Sequence, residues 1–156
     1  MTGVSIMLDD SSKSTLHLVR DRIREVYTFL QKGYPENVYQ RALCVELQKA
    51  NLLYDLEATM SIPYKGHIVG QIRADIIIRG EPNIVIETKA TAANLKVEER
   101  WQLSRYMKIQ DIPLGILVNF PQVNGTTTPQ IEFLVKDEEE EIYVYDLDKN
   151  TGLPMN

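Results

Sequence analysis

The feature that most constrains the fold is an aspartate, Asp75, followed twelve residues later by the string Glu87-Thr88-Lys89. Both segments are rich in Ile and Val and are joined by the turn sequence Gly80–Asn83, so they predict the two strands of a β-hairpin. Such a hairpin brings Asp75 level with Glu87 and Lys89. Because side chains alternate along a strand, Glu87 and Lys89 share one face while Thr88 points to the other.

Two carboxylates and an ammonium group at the edge of an apolar sheet are costly to bring together unless a further charge compensates them. A divalent cation would do so, and it would suit the hydrolysis of a phosphodiester. The same residues are also compatible with an ordinary strand end that carries one solvated acid and one lysine. The string alone leaves both interpretations open.

Apolar periodicity predicts an α/β order of helix, three strands, helix and strand. A helix over 14–32 ends at Gly33, and a second helix over 36–50 follows Pro35. The three strands form a meander, and the last strand returns beside them through a helical crossover. Besides the hairpin above, the expected elements are a strand over 55–64, a turn at Tyr64–His67, a helix over 95–109 and an apolar strand over 114–120.

Both ends of the chain are predicted to lie outside this core. The N-terminal residues lack the basic segment and apolar run of a secretory signal. Near the C-terminus, the alternating runs Ile131–Val135 and Ile142–Leu147 flank the acidic segment Asp137–Glu141, which indicates a hairpin. The expected division is a flexible arm over 1–13, one domain over 14–121, and an acidic β-hairpin extension over 122–156 packed on the same domain.

The net charge of −5 is unusual for a protein that binds nucleic acid, but the charge is unevenly distributed. Residues 132–148 hold eight acids and one base, whereas residues 13–108 hold fifteen bases and eleven acids. The body is therefore mildly basic, and the acidity belongs to the C-terminal hairpin. Acidic runs are most often solvated turns, although this one could also bind a basic protein partner or shield a basic groove.

Two further pairs of residues accompany the hairpin. Glu36 and Tyr39 share one face of the second helix, within the string G-x-x-E-x-x-Y that starts at Gly33. Gln102 and Tyr106 lie four apart on the later helix and share a face too. Each pair alone has an ordinary interpretation: an acid favoured by the helix dipole above a packed aromatic, and a polar pair at the edge of the core.

Taken in order, these strings resemble the PD-(D/E)XK nuclease superfamily, in particular its GxxExxY branch, which is similar to RecB-type nuclease domains. The resemblance covers residues 15–120, through GYPENVYQRAL, IPYKG, IRAD, IVIETKA, Q-x-x-x-Y and LGILVNF. It implies a restriction-endonuclease-like αβββαβ core, a mixed sheet flanked by helices, to which the C-terminal β-hairpin is added. Ala74 stands where the superfamily often has proline, a departure that it tolerates.

The resemblance implies a role for each matching residue. Asp75, Glu87 and Glu36 would be catalytic metal ligands, with the Thr88 carbonyl as a further one, and Lys89 would act on the attacking water or the phosphate charge. The implied metal is Mg²⁺, with Mn²⁺ as a substitute. The resemblance implies that Gln102 and Tyr106 help to organise the site and hold the nucleic acid, and that Tyr39 packs behind Glu36, with a contact to nucleic acid as the alternative. Apart from the resemblance, the candidate phosphate contacts, which are equally compatible with solvated surface positions, are the basic residues Arg73, Lys96, Arg100, Arg105, Arg41 and Lys108.

The expected activity is metal-dependent hydrolysis of phosphodiesters, in DNA, by an exonuclease or a structure-specific endonuclease. The alternatives are a catalytically silent module that binds nucleic acid and a protein-interaction subunit. A homodimer stays open, and a membrane partner is not expected because no apolar run approaches the ~20 residues of a membrane span. The single cysteine, Cys44, lies in an apolar helical pattern, which suits a reducing intracellular compartment.

Overall fold

The computed structural model describes residues 3–155, and within this part the elements follow the apolar periodicity of the sequence. Asp9 caps the first helix by accepting a hydrogen bond from the Ser12 amide, and Pro35 precedes the second helix. The elements are β1 (Val4–Ser5), α1 (Asp10–Leu30), α2 (Glu36–Lys49), β2 (Leu53–Tyr64), β3 (His67–Arg79), β4 (Ile84–Lys89), α3 (Val97–Ile109), β5 (Leu114–Asn119), β6 (Gln130–Lys136), β7 (Ile142–Asp146) and β8 (Thr151–Pro154).

The strands of the described part form a single mixed sheet in the order β1-β8-β7-β6-β5-β4-β3-β2. Strands β2, β3 and β4 form an antiparallel meander, and β5 returns parallel to β4 through α3. This arrangement confirms the predicted αβββαβ order and the mixed sheet flanked by helices. No helix in residues 3–155 is both long and apolar enough to cross a membrane.

Two apolar cores lie on opposite faces of the sheet. Alternate residues of β4 and β5, such as Ile86 and Ile116, pack against α1 and α2, whereas Val85 and Leu117 pack against α3. Since β4 is buried on both faces, its sequence is almost continuously apolar up to Glu87. The carboxyl ends of the parallel strands β4 and β5 therefore lie between α2 on one face and α3 on the other.

The N-terminal residues differ from the predicted flexible arm. Val4 and Ser5 pair with Gly152 and Thr151 of β8, and α1 already begins at Asp10. The pairing was not predictable because β1 has two residues and its partner strand has no marked alternation. Residues 1 and 2 of the predicted arm lie outside the described residues.

The C-terminal hairpin is present and continues the central sheet. β6 pairs with β5 over six residues, from Gln130 opposite Asn119 to Val135 opposite Leu114. β7 then pairs with β6, and β8 adds a further strand that the sequence pattern did not predict. The extension shares both cores with the preceding elements, through residues such as Phe133 and Leu134.

At Asp75, the alternate side chains of β3 switch from one face of the sheet to the other. Ala74 belongs to the core on the α3 face, yet Ile76, two residues later, packs in the core on the other face. Glu57, which lies opposite Asp75 in β2, has a φ of 55°. Ala58 pairs with Ala74 and Leu56 pairs with Ile76, but the register has no pair between Glu57 and Asp75. A left-handed conformation of this kind is uncommon for residues other than glycine. Here it accompanies a switch, in both strands, of the face of the sheet to which alternate side chains point.

Candidate functional site

Asp75 and Glu87 meet where the backbone pairing of β3 and β4 stops. The last paired residues are Ile76 and Ile86, and beyond them hydrogen bonds from side chains join the two strands. The Asp75 amide donates to Glu87 Oε1 at 3.0 Å, and the amide and hydroxyl of Thr88 donate to Asp75 Oδ2 at 2.8 and 3.1 Å. The two acids are thus fixed beside each other, as the hairpin register predicted.

Gln40 joins this pair of strands to helix α2. Its Nε2 donates to Glu36 Oε2 and to Thr88 Oγ1, both at 2.9 Å. Because Thr88 in turn donates to Asp75, a continuous hydrogen-bonded path runs from Glu36 to Asp75. Gln40 is only 6% exposed, so its amide has few alternative partners in solvent.

Glu87 is the electrostatic centre of the cluster. Burial, followed by the neighbouring charge of Asp75, raises its pKa to about 8, although the Asp75 amide and the Lys89 ammonium act in the opposite direction. The side chain is 4% exposed. A carboxyl group in this state holds a proton near neutral pH unless more positive charge is brought to it.

Glu36 experiences the same field from the helix side. Its pKa is raised by burial and by Asp75, against opposing contributions from Lys89 and the hydrogen bond from Gln40. Lys89 therefore influences both glutamates, but it does not neutralise the cluster. Three carboxyl groups face one ammonium group at this end of the sheet.

Gln102 and Tyr106 border the cluster from α3. Gln102 Nε2 and Tyr106 Oη are 2.9 Å apart, as the spacing of four residues predicted. Burial raises the pKa of Tyr106, and the charge of Glu87 raises it further. Tyr106 is only 4% exposed, so it presents little surface to a ligand.

The donor set suits a hard divalent cation. Within residues 3–155, Asp75 Oδ1, Glu87 Oε2 and Glu36 Oε1 accept no hydrogen bond from protein groups, so each has lone pairs to offer. The described residues contain no ready-made group of three or more His, Cys, Asp or Glu side chains around one point. Two carboxylates are nevertheless sufficient for Mg²⁺, which retains several of its waters.

Tyr39 does not meet the expectation of a nucleic-acid contact. It is completely buried, stacks on Phe120 with ring centroids 4.7 Å apart, and donates its hydroxyl to the Gln31 carbonyl at 2.5 Å. A residue enclosed in this way presents no surface to a bound strand. Tyr39 anchors the loop that leads into α2.

The expected basic contacts fall into two groups. Arg100 is turned towards β6, where Nη2 lies 2.6 Å from Glu132 Oε1, and its charge is already matched there. Arg73 is exposed and lies 3.7 Å from Glu57. The remaining ones, which are exposed and make no ion pair among the described residues, are Lys96, Arg105, Lys108 and Arg41.

Two polar residues near the carboxylate cluster were not predicted from the sequence to have a role there. Gln40 could have been noticed, because it lies four residues after Glu36 and thus on the same face of α2. Asn119 is 1% exposed at the end of β5, where it binds the backbone of Thr91 and Ala93 in the loop that follows Lys89. The only feature of the sequence that could have indicated a role for Asn119 is that a polar residue ends an otherwise apolar strand.

The acidic segment Asp137–Glu141 forms the turn between β6 and β7, at the other end of the sheet from the carboxylate cluster. The Lys136 amide donates to the Pro113 carbonyl before β5, while Lys89 is level with Asn119 at the end of β5. About six residues of strand, or ~20 Å, separate these levels. The turn therefore does not shield the cluster.

Comparisons with known proteins identify the sequence pattern. Residues 13–132 match the model of the PD-(D/E)XK nuclease superfamily, which is more than half of the chain. No curated protein matches the chain. Among solved structures, it is similar to the one described as the crystal structure of SSO0001, with 22% identity and a TM-score of 0.47, over 78% of this chain and 73% of that chain.

Proposed function

The chain belongs to the PD-(D/E)XK nuclease superfamily, and on that basis we propose that it is a metal-dependent nuclease that hydrolyses phosphodiester bonds in DNA. The observation that carries this proposal is the hydrogen-bonded path that joins the acid of α2 to the acids of β3 and β4. It brings together, from three separate elements, Glu36, Asp75, Thr88 and Glu87.

The proposal assigns Asp75, Glu87, Glu36 and the Thr88 carbonyl as ligands of Mg²⁺, with Mn²⁺ as a substitute. A bound divalent cation would supply an activated water and neutralise the charge that develops on the phosphate. The unmatched acidity of the cluster supports this assignment, because a buried carboxyl with a pKa of about 8 is compensated by added positive charge.

Lys89 has the complementary task in this proposal. It lies on the same face of β4 as Glu87 and close enough to lower the pKa of both glutamates. Its ammonium group would stand beside the scissile phosphate, stabilise the growing negative charge and orient the attacking water. Gln102 and Tyr106 would hold Glu87 in position from α3.

We further propose membership of the GxxExxY branch, with its similarity to RecB-type domains. The string from Gly33 to Tyr39 supports it: Glu36 points into the cluster while Tyr39 fastens the preceding loop. A reducing intracellular location also belongs to the proposal, since Cys44 is a free, buried thiol.

A cleavage screen with Mg²⁺ or Mn²⁺ tests the proposal, over single-stranded, duplex, flapped and four-way DNA and the matching RNA strands. We expect cleavage of at least one DNA substrate, and its loss in Asp75→Asn, which preserves the size of the side chain. Glu81→Gln, an exposed acid in the β3–β4 turn, is the matched control. Unchanged cleavage in Asp75→Asn would disprove the site, and absence of cleavage in every wild-type reaction would favour the silent nucleic-acid-binding module.

A further inference from the structure

Strands β2 and β3 extend well beyond the strand that supports them. β4 pairs with β3 only from Ile76 to Ile78, whereas β2 and β3 remain paired as far as Tyr64 and His67. We call the projecting two-stranded segment, residues 58–74, the ribbon. At ~3.3 Å per residue, its tip lies about 26 Å from Asp75. Only its base, through residues such as Met60, packs against the α3 core.

The tip of the ribbon is closed by a tight turn. Lys65 and Gly66 both have positive φ, of 49° and 83°, which is the conformation of a two-residue type I′ hairpin turn. This turn matches the twist of paired strands, so the tip is well defined even though it projects into solvent. Any other residue at Gly66 would strain it.

The tip exposes apolar and aromatic side chains that the fold does not use. Tyr64, Ile68 and Val69 are 59%, 64% and 63% exposed. Ribbon tips that only face water are normally polar, so three such neighbours indicate a surface that another molecule covers. The Lys65 ammonium lies 5.3 Å from the centre of the Tyr64 ring, which places positive charge directly beside the aromatic face.

The charge of the ribbon identifies the kind of partner. Between Ala58 and Ala74 there is no acidic residue, whereas Lys65 is basic and His67 is available as a donor. Arg73 is also basic, but it lies 3.7 Å from Glu57, immediately outside the ribbon. The lack of acids in the ribbon contrasts with the net charge of −5 of the whole chain. An acid-free ribbon is complementary to a polyanion, and it would be a poor match for a second copy of itself, since two tips would bring their lysines together.

We propose that the ribbon binds duplex DNA by lying in the major groove, with its tip side chains against base edges. A two-stranded ribbon fits the ~12 Å width of this groove. Lys65 contacts a flanking phosphate, while Tyr64, Ile68 and Val69 contact apolar base edges such as thymine methyl groups. The inference rests on the proposed nuclease function and defines its substrate as a duplex.

The position of Asp75 links the ribbon to the cluster. Because Asp75 stands where the ribbon leaves the sheet, a duplex held by the ribbon passes beside the carboxylates. The distance of about 26 Å corresponds to roughly eight base pairs at 3.4 Å each. Cleavage should therefore improve as the duplex on one side of the scissile bond lengthens to about eight base pairs, and gain nothing beyond that length.

Binding measured in EDTA tests the ribbon without depending on cleavage. Fluorescence anisotropy with a labelled duplex of about 30 base pairs should show affinity about 5- to 20-fold weaker for Tyr64→Ala. The matched control is Leu53→Ala, which removes an exposed apolar side chain at the other end of β2. For Lys65→Gln, the log–log slope of affinity against salt should fall by about 0.9, while Lys49→Gln at the end of α2 should leave it unchanged.

Each outcome separates the possible occupants. Wild-type affinity for the duplex in both ribbon variants would overturn the proposal, and so would a loss confined to single-stranded DNA of equal length. A wild-type dimer that Tyr64→Ala converts to a monomer in analytical ultracentrifugation, with DNA affinity retained, would show that a second copy covers the tip. Ribbon-dependent binding without cleavage in any metal would refute the nuclease and leave the duplex-binding inference intact.

Discussion

Two lysine–acid clusters occupy opposite ends of the sheet, and their environments differ. Lys136 is itself buried and pairs with Asp111 and Glu140, whose side chains are 85% and 62% exposed. At the other end, Lys89 is half-buried and it is Glu87 that is enclosed. The acids near Lys136 are thus solvated, whereas Glu87, near Lys89, is shielded from water and Asp75 and Glu36 are only partly exposed.

The effects on the pKa values follow from this contrast. Burial lowers the pKa of Lys136, but hydrogen bonds to Asp111 and Glu140 outweigh it, so the net shift is upward and the lysine is satisfied. For Glu87, burial and the charge of Asp75 outweigh the opposing contributions of the Asp75 amide and Lys89, so its pKa rises to about 8. Density of acidic residues in the sequence is therefore a poor guide to a functional site, and burial of acid without matching positive charge is a better one.

The largest expected difference between the clusters is in catalysis. Lys89→Met preserves the length of the side chain and removes its charge, so we expect cleavage of DNA to fall by about 10²- to 10³-fold. Lys136→Met makes the same change at the other end and should alter the rate by less than about twofold. Initial rates of both purified variants with Mg²⁺ decide the comparison, and equal losses would show that the decrease is structural.

The second difference is in the pH dependence of stability without metal. In the unfolded chain Glu87 ionises near 4.5, whereas in the folded protein it keeps its proton up to about 8. Between these values the folded state binds more protons, so stability falls as pH rises, by a few kcal/mol in total. Below pH 4.5 this group contributes no slope.

Glu87→Gln should remove that decrease and be more stable than wild type above neutral pH in EDTA. Urea unfolding at a series of pH values measures it. Glu138→Gln, an exposed acid of the β6–β7 turn, is the matched control and should keep the wild-type slope. A slope that persists in Glu87→Gln would mean that another group carries the titration.

The third difference concerns how each cluster is held. Gln40→Leu leaves Glu36 and Thr88 each without a donor, so we expect a stability loss of about 1–2 kcal/mol and a cleavage rate about tenfold lower. Gln48→Leu, an exposed position on the same helix, should change neither. Thermal unfolding and initial rates, measured on both proteins, separate positioning from simple destabilisation: a rate that falls although Gln40→Leu is fully folded at the assay temperature indicates lost positioning.

How far the sequence predicts this end of the molecule depends on the range of the interactions. Counting along a hairpin places Asp75 opposite Glu87, and helical spacing pairs Gln102 with Tyr106; both expectations are confirmed in position. The reversal of facing at Asp75 was not predictable, because it depends on the left-handed conformation of Glu57 across the sheet. Local periodicity does not encode such a tertiary constraint.

The same limit applies to the expected contacts with nucleic acid. Arg100 is of a residue type that commonly contacts phosphate, but it forms an ion pair with Glu132. Glu132 belongs to the C-terminal extension, which lies outside the family resemblance. Tyr39 is of a residue type that can stack on bases, but in the folded protein it stacks on Phe120, which follows β5. Each residue type was compatible with two roles, and only long-range packing distinguishes them.

The smallest effect should come from the most acidic part of the chain. Asp137 organises the β6–β7 turn by accepting hydrogen bonds from the amides of Glu139 and Glu141, both at 2.9 Å. The side chains of Glu138 and Glu139 are exposed and form no ion pair among the described residues, so neutralising them should change stability by no more than about 0.5 kcal/mol.

The double variant Glu138→Gln/Glu139→Gln also tests whether the turn influences the cluster at a distance. Some 20 Å of sheet lies between them, about two and a half Debye lengths at physiological salt, so the cleavage rate should stay within about twofold of wild type. Rates at low and at physiological salt provide the measurement. A marked increase in activity that disappears with salt would mean that the turn repels the substrate electrostatically, and the separation of the two clusters would then be incomplete.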